Sequence, residues 1–409
     1  MDKKAMKKIL AFVKMLKAPA QMIPYIISLV IIFVQRHVDN DKAAAVKVDE
    51  QGFVCRKNSS IAGGCGSPAV AVEPDGGIAV VFACSRVVGG VPLYSLCLCR
   101  GSEPAKLALA KREFIFDSPM QLGNVTATAT PYGLLISWRS KLASKLHLPE
   151  TADKDAARIW RERNAERYAQ LSDDEKRGGT YYALLPYNSS ATIVAQKAPC
   201  SFVQRAVMLS DNEVLWMGEC EGTAVAYVSA DKCKSFTKRG AVPAIPGGRT
   251  VSQVSCAKLK NGRLICIFSS MGELFISYSD DMGVRWSLPH MLNVKGVSPD
   301  LCVRGDGVAV LNYVQPDKKV SLRSMISLDG QYKWLEERAL VISTASNCRK
   351  PYTVEAGDKF MTVSRQRFVG DSGSSVVFTL WSPHKDDEAR IKEITAEASG
   401  KKKSKKSRK

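Results

Sequence analysis

The chain has 409 residues, 45% hydrophobic and 24% charged, which supplies a sizeable core and excludes disorder of the whole chain. Its formal charge of +19 is unevenly placed: residues 1–42 carry a net +5 and residues 401–409 a net +7, leaving +7 for the 358 residues between them. That body is only mildly basic and holds no dense Lys/Arg run interleaved with aromatics, so nucleic acid is set aside as a partner.

The first 44 residues read as a basic segment with an apolar helix. Lys3, Lys4, Lys7, Lys8, Lys14 and Lys17 precede an uncharged stretch over 18–34 that includes Ile26, Ile27, Leu29, Val30, Ile31, Ile32 and Phe33. Its 17 residues sit at the lower edge of what a helix needs to cross a bilayer, and Pro19 and Pro24 weaken its first half. Three readings stand: an uncleaved signal anchor, a cleaved secretory signal with Ala43-Ala44-Ala45 as its site, and a buried soluble helix. Arg36, Asp39, Asp41 and Lys42 lie between the apolar core and the alanines, which favours the anchor. The excess of lysines before the stretch puts the N-terminus in the cytoplasm. The body is then extracytoplasmic, membrane-anchored or, after cleavage, secreted.

From residue 45 to about 398 one unit recurs six times: a turn signal with Gly, Asp or Asn, then five or six apolar residues. The six are Asp75-Gly76-Gly77 before IAVVF, Tyr132-Gly133 before LLISW, Asp211-Asn212-Glu213 before VLWMG, Asn261-Gly262-Arg263 before LICIF, Asp306-Gly307 before VAVLNY, and Gly357-Asp358-Lys359 before FMTVS. Such a hairpin cannot bury both apolar faces alone; neighbours on each side can, and a closed ring supplies them without long exposed edges. The expected fold is all-β, a six-bladed propeller. Ser67-Pro68, Ser298-Pro299 and Lys350-Pro351 precede three of the turns at a constant offset, as prolines at the first residue of a strand would. If these strands are innermost, the residues after the prolines crowd the axis at one mouth. The widest gap holds an insertion over about 150–176. There an acidic start (Thr151, Asp153, Asp155) and a stripe of Ala157, Trp160, Asn164, Tyr168 and Leu171 predict a helix on the rim.

One motif is specific. Ser279-Asp280-Asp281-Met282-Gly283-Val284-Arg285-Trp286 matches the Asp-box template S-x-D-x-G-x-x-W, and two weaker copies follow it. In one, Ser229, Asp231 and Phe236 keep the pattern with Cys233 in the glycine place; in the other, Ser327, Asp329 and Trp334 keep it with the glycine one position early. In phase with the repeat, these make the stretch from Gly52 to Pro383 resemble the sialidase (neuraminidase) superfamily. The box itself implies a structural turn, because Ser and Asp side chains bond local backbone and the aromatic packs between strands.

The resemblance implies a chemistry that the residues support poorly. Sialidases hold a substrate carboxylate with three arginines, attack with a tyrosine activated by a glutamate, and use an aspartate as acid/base. The first arginine's place reads Gly66-Ser67-Pro68, and the aspartate's place, Ser85 to Gly90, holds no acid. The glutamate and second arginine are missing near Val251-Ser252-Gln253 and Phe268-Ser269, and a third arginine would fall near Lys319 or Arg323. Tyr352 does stand where the nucleophile's strand begins. By repeat alignment Arg205, Asp300 and Tyr352 are equivalent positions at one mouth, with Arg86, Arg323 and Lys319 as neighbours, and they are the candidate ligand pocket. The leading expectation is a sialidase-like propeller that binds a glycan or glycoconjugate without the usual catalytic residues. The alternatives are an active exo-sialidase or other glycoside hydrolase with a rearranged site, and a protein-interaction platform.

The remaining features are bland. The 12 cysteines, as in Cys97, Cys99 and Cys266, alternate like small buried strand residues; there is no Cys-x-x-Cys and the four histidines are scattered, so neither metal nor cofactor is implied. The tail over 399–409 is basic and disordered by composition.

Overall fold

The computed structural model describes residues 46–384 and 389, apart from 57–63, 89–90, 142–157, 159–161, 163–164, 190, 316–321, 328–333, 335–337, 340–346 and 369–372. The apolar stretch over 18–34, the basic tail, and Lys319 and Asp329 therefore lie outside the described residues. So do Ala157, Trp160 and Asn164 of the insertion stripe. Among the described residues no helix is long and apolar enough to cross a membrane.

The described residues form six four-stranded antiparallel sheets. Strand β1 (Lys47–Cys55) comes first but belongs to the last blade. Blade 1 is β2 (Cys65–Val72), β3 (Ile78–Val88), β4 (Val91–Gly101) and β5 (Arg112–Ser118). Blade 2 is β6 (Gln121–Thr130), β7 (Gly133–Lys141), β8 (Gly179–Leu185) and β9 (Gln196–Lys197). Blade 3 is β10 (Phe202–Met208), β11 (Val214–Cys220), β12 (Thr223–Ser229) and β13 (Thr237–Ala241). Blade 4 is β14 (Gln253–Lys258), β15 (Leu264–Ser270), β16 (Glu273–Ser279) and β17 (His290–Lys295). Blade 5 is β18 (Val297–Val303), β19 (Ala309–Val314), β20 (Leu322–Ser327) and β21 (Arg338–Ala339). Blade 6 is β22 (Asn347–Ala356), β23 (Lys359–Arg367) and β24 (Ser375–Ser382), completed by β1 on its outer edge.

Each of the six turn signals joins the first and second strand of its blade, and the first strands pack against one another around the axis. The apolar runs are continuous because the middle strands are buried on both faces. In β15, Leu264, Cys266 and Phe268 join a core with Leu215 and Met217 of blade 3, whereas Ile265 and Ile267 join one with Leu301, Leu311 and Tyr313 of blade 5. Burying each such Leu, Ile or Phe contributes about 1.5–3 kcal/mol, so each inter-blade interface is held by a period-two division of one strand.

The ring closes through β1, which runs antiparallel to β24 with Lys47 opposite Ser382 and Gly52 opposite Phe378. A Cβ at Gly52 would lie 2.7 Å from the Phe378 ring, so only glycine lets the ring lie across the strand. In the insertion the backbone over 165–169 is helical. A short helix α1 (Asp173–Arg177) follows, started by a capping box in which Ser172 and Glu175 each bond the other's backbone N–H. Tyr168 and Leu171 are half-buried, and the Lys176 ammonium lies 5.8 Å from the Tyr168 ring centroid.

Candidate functional site

The first strands shape the axis through a repeated irregularity. The pairing of first with second strand slips between Gly66 and Ala69, Gly123 and Thr126, Val203 and Ala206, Val297 and Asp300, and Arg349 and Tyr352. These are β-bulges, which bend a strand and re-aim its side chains. Pro68, Pro299 and Pro351 sit inside the bulges, not at the first residue of the strand as the sequence suggested. The bulge leaves a residue without a ladder bond, so the missing proline N–H costs nothing there. Ser67, Asn124, Ser298 and Lys350 at these bulges have left-handed backbone, with φ of 48°, 48°, 53° and 58°.

Register also corrects the alignment of the axial trio. Asp300 and Tyr352 follow their bulges, opposite Asn312 and Val363, while Arg205 lies within its own, one residue before Ala206 pairs with Trp216. The three nonetheless meet. Arg205 Nη2 donates to Asp300 Oδ1 at 3.0 Å, and the guanidinium carbon lies 4.2 Å from the Tyr352 ring centroid. Asp300 and Tyr352 are each 3% exposed. The Tyr352 hydroxyl donates to the Ala127 carbonyl at 2.7 Å and accepts from the Ala127 N–H at 3.2 Å.

Electrostatics follows from burial. Burial pushes the Asp300 carboxyl above the usual carboxylate range, and Arg205 and Thr353 pull it back. Burial also opposes the charge on Arg205, but the Asp300 carboxylate overrides it and holds the guanidinium protonated. Burial raises the Tyr352 phenol, with Arg205 opposing. A neutral phenol committed to backbone on both its donor and acceptor sides is a tie between blades 6 and 2. The space left beside it, lined by Ser67, Asn124, Gln204, Ser298, Lys350 and Tyr352, is about 20 Å³, room for one water molecule and no sugar.

A larger cleft of about 270 Å³ opens beside the axis between blades 1 and 2, with Arg365 of blade 6 on its rim. It lies where the first strands begin, the second strands end and the third begin: Cys65 pairs with Cys84, and Ser85 with Tyr94. Arg139, Lys141 and Arg365 line it together with Gln121, Asn124 and Tyr94, and no Asp or Glu is among its described lining residues. A Cβ on Gly66 would stand 3.4 Å from Arg365 Cδ, ordinary van der Waals contact, so the arginine stem lies directly over this position. Arg365 Nε donates to Ser374 Oγ at 2.8 Å, which orients the guanidinium. Burial and the neighbouring Arg349 and Arg367 lower the Arg365 value. Burial, Arg139 and Arg349 likewise lower Lys350 to about 8. Burial is the larger cause in both, and the further depression by neighbouring cations marks a concentrated positive field, which an anion relieves.

Two other sequence candidates, Arg86 and Arg323, sit away from the trio. Arg86 Nη2 binds Asp117 Oδ2 at 2.8 Å on the outer strand of blade 1, Nε donates to Ser95 Oγ at 2.9 Å, and its guanidinium lies 3.8 Å from the Phe114 ring centroid. Arg323 is on β20, the third strand of its blade, opposite Tyr313 and Ala339. Sequence reasoning missed Arg139, Lys141 and Arg365. The available signal was an exposed cation at alternate residues closing a second strand, Arg139 with Lys141 and Arg365 with Arg367.

The Ser-x-Asp turns lie at the opposite end of the blades. Ser279 Oγ donates to Asp281 Oδ1 at 3.0 Å, the Gly283 and Arg285 N–H groups donate to Ser279 Oγ and Asp281 Oδ1 at 2.8 Å each, and Trp286 Nε1 donates to the Gly283 carbonyl at 3.1 Å. Ser229 and Asp231 repeat the scheme: Ser229 Oγ donates to Asp231 Oδ1 at 2.7 Å, and the Cys233 and Ser235 N–H groups donate at 3.0 and 2.9 Å. Cys233 takes the left-handed conformation that Gly283 has in the other turn, with φ of 62° and 89°. Phe236 stacks on Trp216 at 3.8 Å. In blade 5, Ser327 is buried and forms a bridge with Trp334.

No family model matches the sequence, and a search of curated proteins found no match. Similarity appears in three dimensions. A protein of unknown function from Dyadobacter fermentans superposes with TM-score 0.63 at 12% identity, over 83% of this chain and 100% of that one. Trypanosoma rangeli sialidase, in complex with the inhibitor DANA, gives 0.55 at 11% identity, over 86% of this chain and 62% of its own. An α-L-arabinanase from Penicillium chrysogenum, complexed with arabinobiose, gives 0.50 at 11% identity, over 83% and 98%. At these identities the likeness is one of fold: the chain is a sialidase-like six-bladed propeller.

Proposed function

We propose that this propeller recognises an acidic glycan in the cleft beside its axis and does not cleave sialosides by the usual sialidase residues. The observation that carries the reading is the cleft itself: three cationic side chains, Arg139, Lys141 and Arg365, around about 270 Å³, with no described carboxylate in its lining. Guanidinium groups bind a carboxylate or sulfate through paired charge-assisted bonds, and Tyr94 with Gln121 and Asn124 offers a ring edge and amides for hydroxyls. The volume suits a single sugar unit. Glycosidase chemistry needs a carboxyl pair, or a tyrosine with a carboxylate, facing the scissile bond. Tyr352 is sealed against Ala127 and Arg205, which speaks against that role. A hydrolase with a rearranged site is the second reading, favoured by the convergence of Tyr352 and Asp300 on Arg205. The lysine-rich, apolar N-terminal segment supports attachment to a membrane with the propeller on its outer side.

The test uses the purified full chain, a fluorogenic sialoside and calorimetric titration with sialyllactose and lactose. The expected result is no turnover, salt-sensitive binding of sialyllactose and none of lactose. Loss of one bidentate contact in Arg139→Ala or Arg365→Ala weakens binding about tenfold or more. Sialoside turnover that disappears in Tyr352→Phe would overturn the non-catalytic reading.

A further inference from the structure

Seven large apolar side chains are exposed among the described residues, and six of them share one end of the blades. Singly such residues are ordinary; their common placement is not. Leu109 of blade 1 is 91% exposed, Val194 of blade 2 82% and Leu288 of blade 4 74%. These three, with Met282 and Val284, stand in connections from a third to a fourth strand, and Met291 is the second residue of β17. Such connections lie where first strands end and second strands begin: Ile78 pairs with Val72 and Gly101, Leu134 with Ala129 and Leu185, and Leu264 with Lys258 and Ser279. The seventh, Met271, is in the turn between β15 and β16, at the cleft end. Hydrogen bonds tie the apolar end from blade to blade. Arg100 Nη1 donates to the Ser189 carbonyl at 2.9 Å, the Tyr132 hydroxyl to the Asp211 carbonyl at 2.9 Å, and Arg239 Nη1 to the Met282 carbonyl at 3.5 Å. The apolar points are thus spread over one joined face and not gathered in a groove.

The chain enters the ring at the same face. Lys47, next to Val46, lies opposite Ser382, and Trp381 pairs with Phe360 where the second strand of blade 6 begins. Residues 1–45 precede that entry and hold the lysines and the uncharged stretch over 18–34. We propose that this face rests on a phospholipid bilayer, with Leu109, Val194, Met282, Val284 and Leu288 set into the interface, so that the cleft looks away from the membrane. The inference rests on the membrane attachment proposed above and adds which side of the propeller meets lipid. Exposed Lys106 and Lys111 flank Leu109, where their long stems let the ammonium groups reach phosphates while the leucine enters between headgroups. Glu103, Asp280 and Asp281 pair with Lys106, Arg263 and Arg285, so the attraction is mainly apolar. A rigid ring that touches at separated side chains suits a bilayer, whose headgroups part around each one, whereas a protein partner needs a continuous complementary patch. The nine residues of β7, at about 3.3 Å each, hold Lys141 roughly 25 Å from this face. Ligands therefore reach the cleft from the medium or from a facing surface.

The test reconstitutes the full chain in phosphatidylcholine vesicles, with the photoreactive residue p-benzoylphenylalanine placed at Leu109, at Leu288 or at Met271, three exposed positions where a bulky ring meets solvent. Vesicle flotation reads attachment, and after irradiation peptide mass spectrometry reads lipid adducts. The expected result is flotation of all three proteins, with lipid adducts at Leu109 and Leu288 and none at Met271. Flotation in which Leu109 or Leu288 lacks an adduct, or Met271 gains one, overturns the docking face and leaves membrane attachment standing. Protein that stays behind while the vesicles float overturns the attachment itself, and the docking face with it.

Discussion

The axial pair offers the sharpest test of how this propeller is held together. Arg205→Met leaves the Asp300 carboxyl, 3% exposed, without its ion-pair partner. Removing one member of a buried pair costs about 3–5 kcal/mol, because the other remains desolvated. Loss of the guanidinium over the Tyr352 ring, at 4.2 Å, adds about 1 kcal/mol. For a domain of this size the expected fall in melting temperature is about 1.5 °C per kcal/mol, or roughly 6–9 °C in all. The pH dependence has a definite sign. Burial already raises the Asp300 value, and the variant loses the opposing charge of Arg205, so the folded state holds a proton that the unfolded chain releases above about pH 4. Stability from that group is complete below the unfolded value and is lost as pH rises, so the damage is small near pH 4 and grows through pH 7. Arg205→Met with Asp300→Asn removes both charges and regains most of the loss. Thermal unfolding of the three proteins between pH 4 and 8 measures this. A fall of under 2 °C for the single variant, or a double variant no better than the single, refutes the assignment.

Tyr352→Phe removes the partner of both Ala127 backbone groups and costs about 1–3 kcal/mol in urea unfolding, with no effect on binding of an anion in the neighbouring cleft. Asp281 has its carboxyl lowered to about 2, chiefly by the Arg285 side chain and backbone bonds, so its contribution is present above about pH 4 and is lost as pH falls through 2. Asp281→Asn is therefore less stable than the parent at pH 7 by about 1 kcal/mol, and denaturation midpoints converge near pH 2. Lys350 is lowered by burial to about 8, so the unfolded chain binds the extra proton between pH 8 and about 10.4, and stability rises with pH across that window. Lys350→Met flattens the rise, which midpoints at pH 7, 9 and 10.5 detect.

The blades were legible because the first hairpins announce themselves locally: in five of the six a turn glycine at positive φ, then a run apolar on both faces, as in Gly262 before Leu264 to Phe268. The closure was not, because Lys47 opposite Ser382 is a pairing of the two ends of the ring and Lys47–Cys55 carries no apolar run. The axial trio was found for a reason only partly right. Repeat alignment placed Arg205 level with Asp300 and Tyr352, but an alignment does not register bulges, and the one-residue offset lets the guanidinium lie between the other two rather than beside a pocket. Sequence also does not give free volume. Beside Tyr352 about 20 Å³ is open, while the cleft of about 270 Å³ is lined by Arg139 and Arg365, which sit on second strands.

The separation of the two ends of the blades lets scaffold and site vary independently in this chain. Ser279 closes a third strand opposite Leu264, which opens a second strand and pairs with Lys258 at the end of the first. The cleft uses the other ends of the same strand types, where Cys65 opens a first strand and Lys141 closes a second. Substitution at the cleft thus leaves the turn bonds of Asp231 and Asp281 untouched, and those bonds place no demand on which side chains face a ligand. A propeller can lose the acids of a hydrolase and keep or rebuild a cationic rim without disturbing the inter-blade core. The cost of such change falls on the rim: burial, Arg139 and Arg349 lower Lys350, burial, Arg349 and Arg367 lower Arg365, and an anion seated near them relieves that crowding. Binding of an acidic ligand to this cleft therefore raises the melting temperature, and it does so less as salt screens the field.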